Sequence, residues 1–250
     1  MTTLHGTDIT LVGKTPFLLS SVNYALNKSS LITCVSEDLK SQTLEYFSIN
    51  SKIQVIPNFI NFKSNCIPNK PINNKKIISH ISNFRPVKRI RDVILIYNNI
   101  RKYFDSELIL IGDGPERTQI EQLVLELGLK SHVHFLGKSN EIENVLTKSD
   151  LFLLPSNSES FGLVALEAMS CGTPVITTCS GGIVELVIDG KTGFTCSVGD
   201  VQSMSEKAIN LLSNSEQYLN MSASAFKRAQ MYDSKHIIPK YEDCYMSLLN

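Results

Sequence analysis

From about residue 75 onward, short apolar runs alternate with stretches of helical period. The runs Ile77–Ile81, Leu108–Ile111, Val133–Leu136, Leu151–Leu154, Val175–Thr178 and Gly193–Cys196 read as buried strands. Between them, Arg91–Tyr103, Glu116–Leu127, Glu141–Lys148, Phe161–Ser170 and Ile183–Ile188 carry apolar residues on helical faces. Six strands separated by helices predict right-handed βαβ crossovers, and hence an α/β fold with a parallel doubly wound sheet. A ligand of such a sheet lies outside the carboxyl ends of its strands. That rim gathers the Gly112-Asp-Gly-Pro115 turn, the loop after Gly137, Glu159 and the pair Gly181-Gly182.

The first seventy residues are sparser. They predict strand ends at Thr3-Leu4, Leu31–Val35 and Lys52–Ile56, with helices over Pro16–Asn27 and Ser36–Phe47. Ser36 fits an N-cap. Asn58–Lys76, rich in Asn, Pro and Lys, reads as an interdomain linker. Three strands and two helices are too few to cover both faces of a parallel sheet, so this part is expected to be half a domain or to lean on another chain.

Composition narrows the classes. The 250 residues hold 24 basic and 24 acidic side chains, so no net field favours nucleic acid or an anionic membrane. The sequence has no secretory h-region and no apolar run of spanning length, which predicts a soluble, cytoplasmic protein. Its six cysteines include no C-x-x-C pair, and several sit in apolar strand-like surroundings, as expected of reduced thiols.

Candidate chemistry centres on Glu159–Gly172, where Glu159 and Glu167 are eight positions apart. On a helix, eight residues advance about 800°, which would bring the two within roughly 80° of one another. A helix start near Phe161 offers free N–H groups and a positive dipole end for a phosphate. A nucleotide-sugar site has this form, with acceptors for sugar hydroxyls flanking a phosphate cradle. An amphipathic helix packed on a sheet accounts for Leu163, Val164, Leu166 and Met169 equally well. Glu167, however, is a carboxylate inside that apolar face and needs a partner or a ligand.

Arg85, Lys88 and Arg89, after the strand Ile77–Ile81, suit either a diphosphate or a solvated basic loop. Gly112-Asp-Gly-Pro-Glu-Arg117 matches a dinucleotide fingerprint only in part, since Arg117 stands at the last glycine, and it supports no NAD or FAD site. His5, in Thr3-Leu-His-Gly-Thr-Asp8, fits an acid/base or hydrogen-bonding role, or plain exposure. No Ser-His-Asp spacing, HExxH or P-loop lysine is present.

The run from Leu154 to Ile176, LPSNSESFGLVALEAMSCGTPVI, resembles the retaining glycosyltransferases of family 4, including their E-x7-E element. Gly181-Gly-Ile-Val-Glu185, Asp189-Gly-Lys-Thr-Gly193 and Gly112-Asp-Gly-Pro115 continue the resemblance in order. Thr2–Thr10 and His80–Arg89 look most like the branch that makes N-acetylglucosaminyl L-malate for bacillithiol. The resemblance implies a GT-B fold, UDP-N-acetylglucosamine as donor, L-malate as a small hydroxy-acid acceptor, and retention at the anomeric carbon. It calls for no cofactor and no metal.

It further implies that Glu167 holds the ribose hydroxyls and Glu159 a donor-sugar hydroxyl. Backbone amides of Ser160, Phe161, Gly162, Leu163 and Val164 would face the sugar and phosphate. Arg85 and Lys88 would bind the diphosphate, beside Asn83, where many relatives place the arginine, and Gly112. His5 would lie by the donor sugar, with Thr3 and Asp8 toward the acceptor. His5, Arg85, Lys88 and Glu159 would carry catalysis.

Relatives have roughly a hundred further residues, about a small domain's worth, ahead of T-L-H-G-T-D. The expected division is therefore 1–70 as the back half of an acceptor domain, 71–234 as a donor domain, and 235–250 as a helix packing back on the first. Catalysis would then need a front half, from a separate chain if not from the same one, and relatives often self-associate. The alternatives are a non-catalytic UDP-sugar-binding remnant, a family 4 enzyme with another acceptor, or a UDP-sugar epimerase.

Overall fold

The computed structural model describes residues 1–6, 9, 15–62 and 75–249. A small parallel sheet opens the chain. It holds β1 (Thr2–Leu4), β2 (Ile32–Cys34) and β3 (Ile53–Val55) in that order, with α1 (Pro16–Lys28) and α2 (Glu37–Tyr46) as its crossovers. Ser36 caps α2 as expected, its hydroxyl accepting the Leu39 N–H at 3.1 Å. On α1, Phe17, Leu18, Leu19 and Tyr24 are exposed.

The larger sheet follows in sequence as β4 (Lys76–Ile81), α3 (Ile90–Ile100), β5 (Ser106–Ile111), α4 (Arg117–Glu126), β6 (Val133–Gly137), α5 (Ile142–Lys148), β7 (Leu151–Leu154), α6 (Leu163–Ser170), β8 (Val175–Thr178), α7 (Ile183–Leu186) and β9 (Gly193–Cys196). Its spatial order is β6-β5-β4-β7-β8-β9, all parallel. The chain therefore runs outward from β4 in one direction, then returns to β7 and runs outward in the other. The switch point lies between β4 and β7, and crevices at such points are where doubly wound sheets take ligands. Helices cover both faces, which is why the strands are apolar throughout and not alternating.

Three helices close the chain, α8 (Val201–Ser213), α9 (Ser215–Gln230) and α10 (Ser234–Met246). The linker reading of 58–76 is corrected at both ends. Lys76 already belongs to β4, and Ile60 pairs with Asp233 while Phe62 packs edge-on against Phe226 of α9. Residues 63–74, with Cys66, lie outside the described part. Ile237 and Cys244 of α10 pack with Leu31 and Ile56 beside the small sheet.

The two sheets share one apolar cluster, in which Ile32 and Leu39 meet Phe161, Ile183 and Leu186. A polar contact reinforces it. The Glu185 carboxylate, from α7, accepts the Glu37 and Asp38 N–H groups at 3.0 and 2.9 Å. With Ser36 it satisfies the first turn of α2, and a carboxylate there is worth about 1 kcal/mol. Among the described residues no helix is long and apolar enough to cross a membrane.

Candidate donor site

Five segments converge at the carboxyl ends of the large sheet, and glutamate 159 lies at their centre. Its segment is extended, forming a parallel bridge with Gly181, so Glu159 is not the first residue of a helix. The helix begins later, at Leu163, behind Gly162 in left-handed conformation (φ 88°). This corrects the expected start near Phe161 and the helical phase between the two glutamates. They face different surroundings.

Glu159 Oε1 receives Lys88 Nζ at 2.6 Å and the buried Ser156 hydroxyl at 2.7 Å. The two charged side chains are 22% and 11% exposed, so this pair is largely withdrawn from water. Lys88 reaches it from a single 3₁₀ turn, Pro86–Lys88, that follows β4. Arg85, one residue earlier, is exposed and has no ion pair among the described residues. Arg89 differs: its guanidinium is held by Asp92 at 2.6 Å and by Asn157 at 3.2 Å. It is a structural tie, and the basic candidates reduce to Arg85 and Lys88. Asn83 is exposed at the turn before them, and Gly112 abuts the same turn.

Helix α6 has no capping side chain, and the N–H groups of Leu163, Val164 and Ala165 find no acceptor among the described residues. Three open donors at a helix start form an anion cradle. The Phe161 ring does not take part; it is buried edge-on against Tyr232.

Glu167 lies one turn past this cradle, on the α6 face turned toward α5. With Leu163, Ile142 and Leu146 it lines a cavity of about 380 Å³, closed on another side by Phe59–Phe62. The carboxylate accepts no hydrogen bond among the described residues, and burial pushes its pKa up. A partly buried, unsatisfied carboxylate facing a cavity is costly without a ligand.

The small sheet reaches the same place. Gly6 (φ 126°) approaches so closely that a Cβ would fall 1.8 Å from Ser160 Oγ. This brings His5, which is exposed, next to the Glu159 segment. Thr3 turns its hydroxyl into the sheet, accepting from Thr33 at 2.9 Å, while Asp8 lies outside the described residues. Gly6→Ala combines a strained φ with that collision, at about 1–3 kcal/mol. A thermal melt is expected to show a loss of several degrees, about 2–4 °C for each kcal/mol.

Two contributors were not singled out from sequence. Ser156 follows β7 in a polar loop, and Glu185 stands in α7 at the end of the Gly181–Glu185 motif, which was the signal available for it. Among the described residues no cluster could hold a metal ion.

The family model described as "Glycosyl transferases group 1" matches residues 63–228, about two thirds of the chain. The chain belongs to that family. The N-acetyl-alpha-D-glucosaminyl L-malate synthase of Bacillus anthracis is 42% identical over the whole chain, which covers 68% of that protein. An uncharacterized glycosyltransferase of Methanocaldococcus jannaschii is 32% identical over 86% of the chain, which covers 58% of it. Among solved structures, Anabaena Alr3699/HepE in complex with UDP and glucose superposes with a TM-score of 0.87 at 23% identity. That match covers 98% of this chain and 70% of the Anabaena protein. The fold is thus GT-B, and the family is one of glycosyl transferases. The chain spans between 58% and 70% of the lengths of these three proteins.

Proposed function

We propose that residues 71–234 form the donor domain of a retaining glycosyltransferase that moves N-acetylglucosamine from UDP-N-acetylglucosamine to L-malate in the cytoplasm. Residues 1–70 belong to its acceptor side, and 235–250 tie the two together. The observation that carries the reading is Glu167, a carboxylate with no hydrogen-bond partner among the described residues, facing a cavity one turn past an open helix start. Ribose hydroxyls would satisfy Glu167, the diphosphate would meet Arg85, Lys88 and the amides of α6, and the sugar would lie against Glu159 and the loop of His5. Support for the sugar and acceptor comes from the 42% identity to the B. anthracis synthase, and for the nucleotide from the UDP-bound Anabaena structure.

In the reaction, the anomeric C1–O bond to the β-phosphate breaks and a bond from the malate hydroxyl to C1 forms on the same face. The hydroxyl proton passes to the departing phosphate, and UDP leaves. Arg85, Lys88 and the helix start oppose the charge that gathers on that phosphate, the usual largest contribution in such transfers. Calorimetry with UDP tests the site on the chain as it stands. Binding with a Kd below a millimolar is expected, and no heat at millimolar UDP ends the proposal. Product formation is tested with the relatives' front segment supplied, because the chain spans 68% of the length of the B. anthracis synthase.

A further inference from the structure

His80 is a fully buried residue that the donor-site reading leaves without a role. It stands near the end of β4, beside the switch point. The β4–β7 ladder pairs Ile78 with Leu151 and Ser79 with Phe152, and then stops. Beyond its end, His80 Nδ1 lies 2.8 Å from the Leu153 carbonyl of β7. A carbonyl oxygen only accepts, so Nδ1 carries the proton. Burial, the largest effect, pushes the imidazole down to about 4, with the Leu153 carbonyl opposing and the Lys88 charge adding. The ring is therefore neutral and Nε2 holds a lone pair.

That nitrogen is 2.8 Å from Ser82 Oγ, whose proton it accepts. The same hydroxyl accepts the Phe84 N–H at 3.4 Å. Phe84 has φ 39°, an unfavourable conformation for a bulky residue, and Arg89, which ends the turn, has φ 50°. The turn between them holds Arg85 and Lys88. From its other side Gly112 presses against it, where a Cβ would fall 1.7 Å from the Ser82 carbonyl. A directed chain of hydrogen bonds thus runs from the Phe84 amide through Ser82 and His80 to β7. It crosses the switch-point crevice and ends on the strand that leads to Glu159.

We propose that His80 is a positioning residue: its neutral ring ties the basic 82–88 turn to β7, and so fixes Arg85 and Lys88 for the diphosphate of the donor. This rests on the donor-site reading. Strain at Phe84 persists because the surrounding groups over-determine it, and a slackened turn carries its cations out of register with the phosphates.

Uridine and UDP separate this role from general damage, since uridine engages the Glu167 cavity but brings no phosphate. Affinities for both are measured by calorimetry or NMR titration on the whole chain. His80→Leu removes the bonds to Leu153 and Ser82, Ser82→Ala removes those to His80 and Phe84, and Ser82→Thr keeps the hydroxyl. In the first two, UDP affinity is expected to fall about tenfold, the effect of a lost buried hydrogen bond, with uridine affinity unchanged. Ser82→Thr should retain UDP affinity within about twofold. Unchanged UDP binding in Ser82→Ala, or a parallel loss of uridine, overturns the positioning role, and Ser82→Ala decides alone if His80→Leu does not fold. A wild-type chain that binds UDP no better than uridine overturns the phosphate role of the turn itself, and the positioning role with it.

Discussion

Glu167→Gln is expected to bind UDP roughly ten- to hundredfold more weakly than the wild type, because hydrogen bonds to a charged acceptor contribute about 1.5–3 kcal/mol each. The same substitution should make the chain more stable at neutral pH. Burial raises the Glu167 pKa in the folded chain above its ordinary 4.5. Between those two values the folded state binds more protons than the unfolded one, so stability falls as pH rises through that window. Above it the whole penalty is present. Glutamine keeps the volume and has no charge to desolvate, so the variant should melt higher at pH 7, with the difference vanishing below the ordinary carboxyl range. Calorimetric titration with UDP and melts across pH 4–8 check both halves. Equal affinity would remove the ribose role, and a variant that melts lower at pH 7 would show that the carboxylate has a stabilising protein partner.

Lys88→Ala should abolish most turnover, by about 10²–10³-fold, if the cation opposes charge on the departing phosphate. It also leaves the Glu159 carboxylate, 11% exposed, with only the Ser156 hydroxyl. Removing one member of a buried pair costs more than the pair itself contributes, so a lower melting temperature should accompany the lost activity. Glu159→Gln separates the two effects, since Lys88 can then swing to solvent. Combining the variants should cost far less than the sum of the single losses, because both disrupt one contact. Initial rates with UDP-N-acetylglucosamine and malate, in the presence of the front segment, measure this. Additive losses would mean that the two residues act independently.

The sheet was legible because buried parallel strands leave continuous apolar runs, and β7, β8 and β9 were bounded to the residue. Ser36 could be placed because an N-cap is a local signal. Helices α8 and α9 were not anticipated, although Asp200 and Asn214 cap them by accepting the Ser203 and Gln217 N–H groups, each at 3.0 Å; those local signals went unread. Where Glu159 points was also hidden. The helix expected over Phe161–Ser170 already left Glu159 in the loop before it, but the bridge to Gly181, its strand partner, had no signal in the spacing. Arg89 could not be told from Lys88 in sequence. The difference lies in a left-handed backbone and a carboxamide, Asn157, that is nearly seventy positions away.

The Glu185 contact has a consequence for how ligand and domain motion speak to each other. The segment Gly181–Leu186 bridges Glu159 at one end and caps α2 with its carboxylate at the other. Prying the small sheet away therefore strips that cap and pulls on the strand partner of the donor-site glutamate. By thermodynamic reciprocity, a ligand that steadies Glu159 strengthens the cap by as much as the cap strengthens the ligand's hold. Affinity for the donor and cohesion between the two sheets are then a single coupling free energy, measurable from either end.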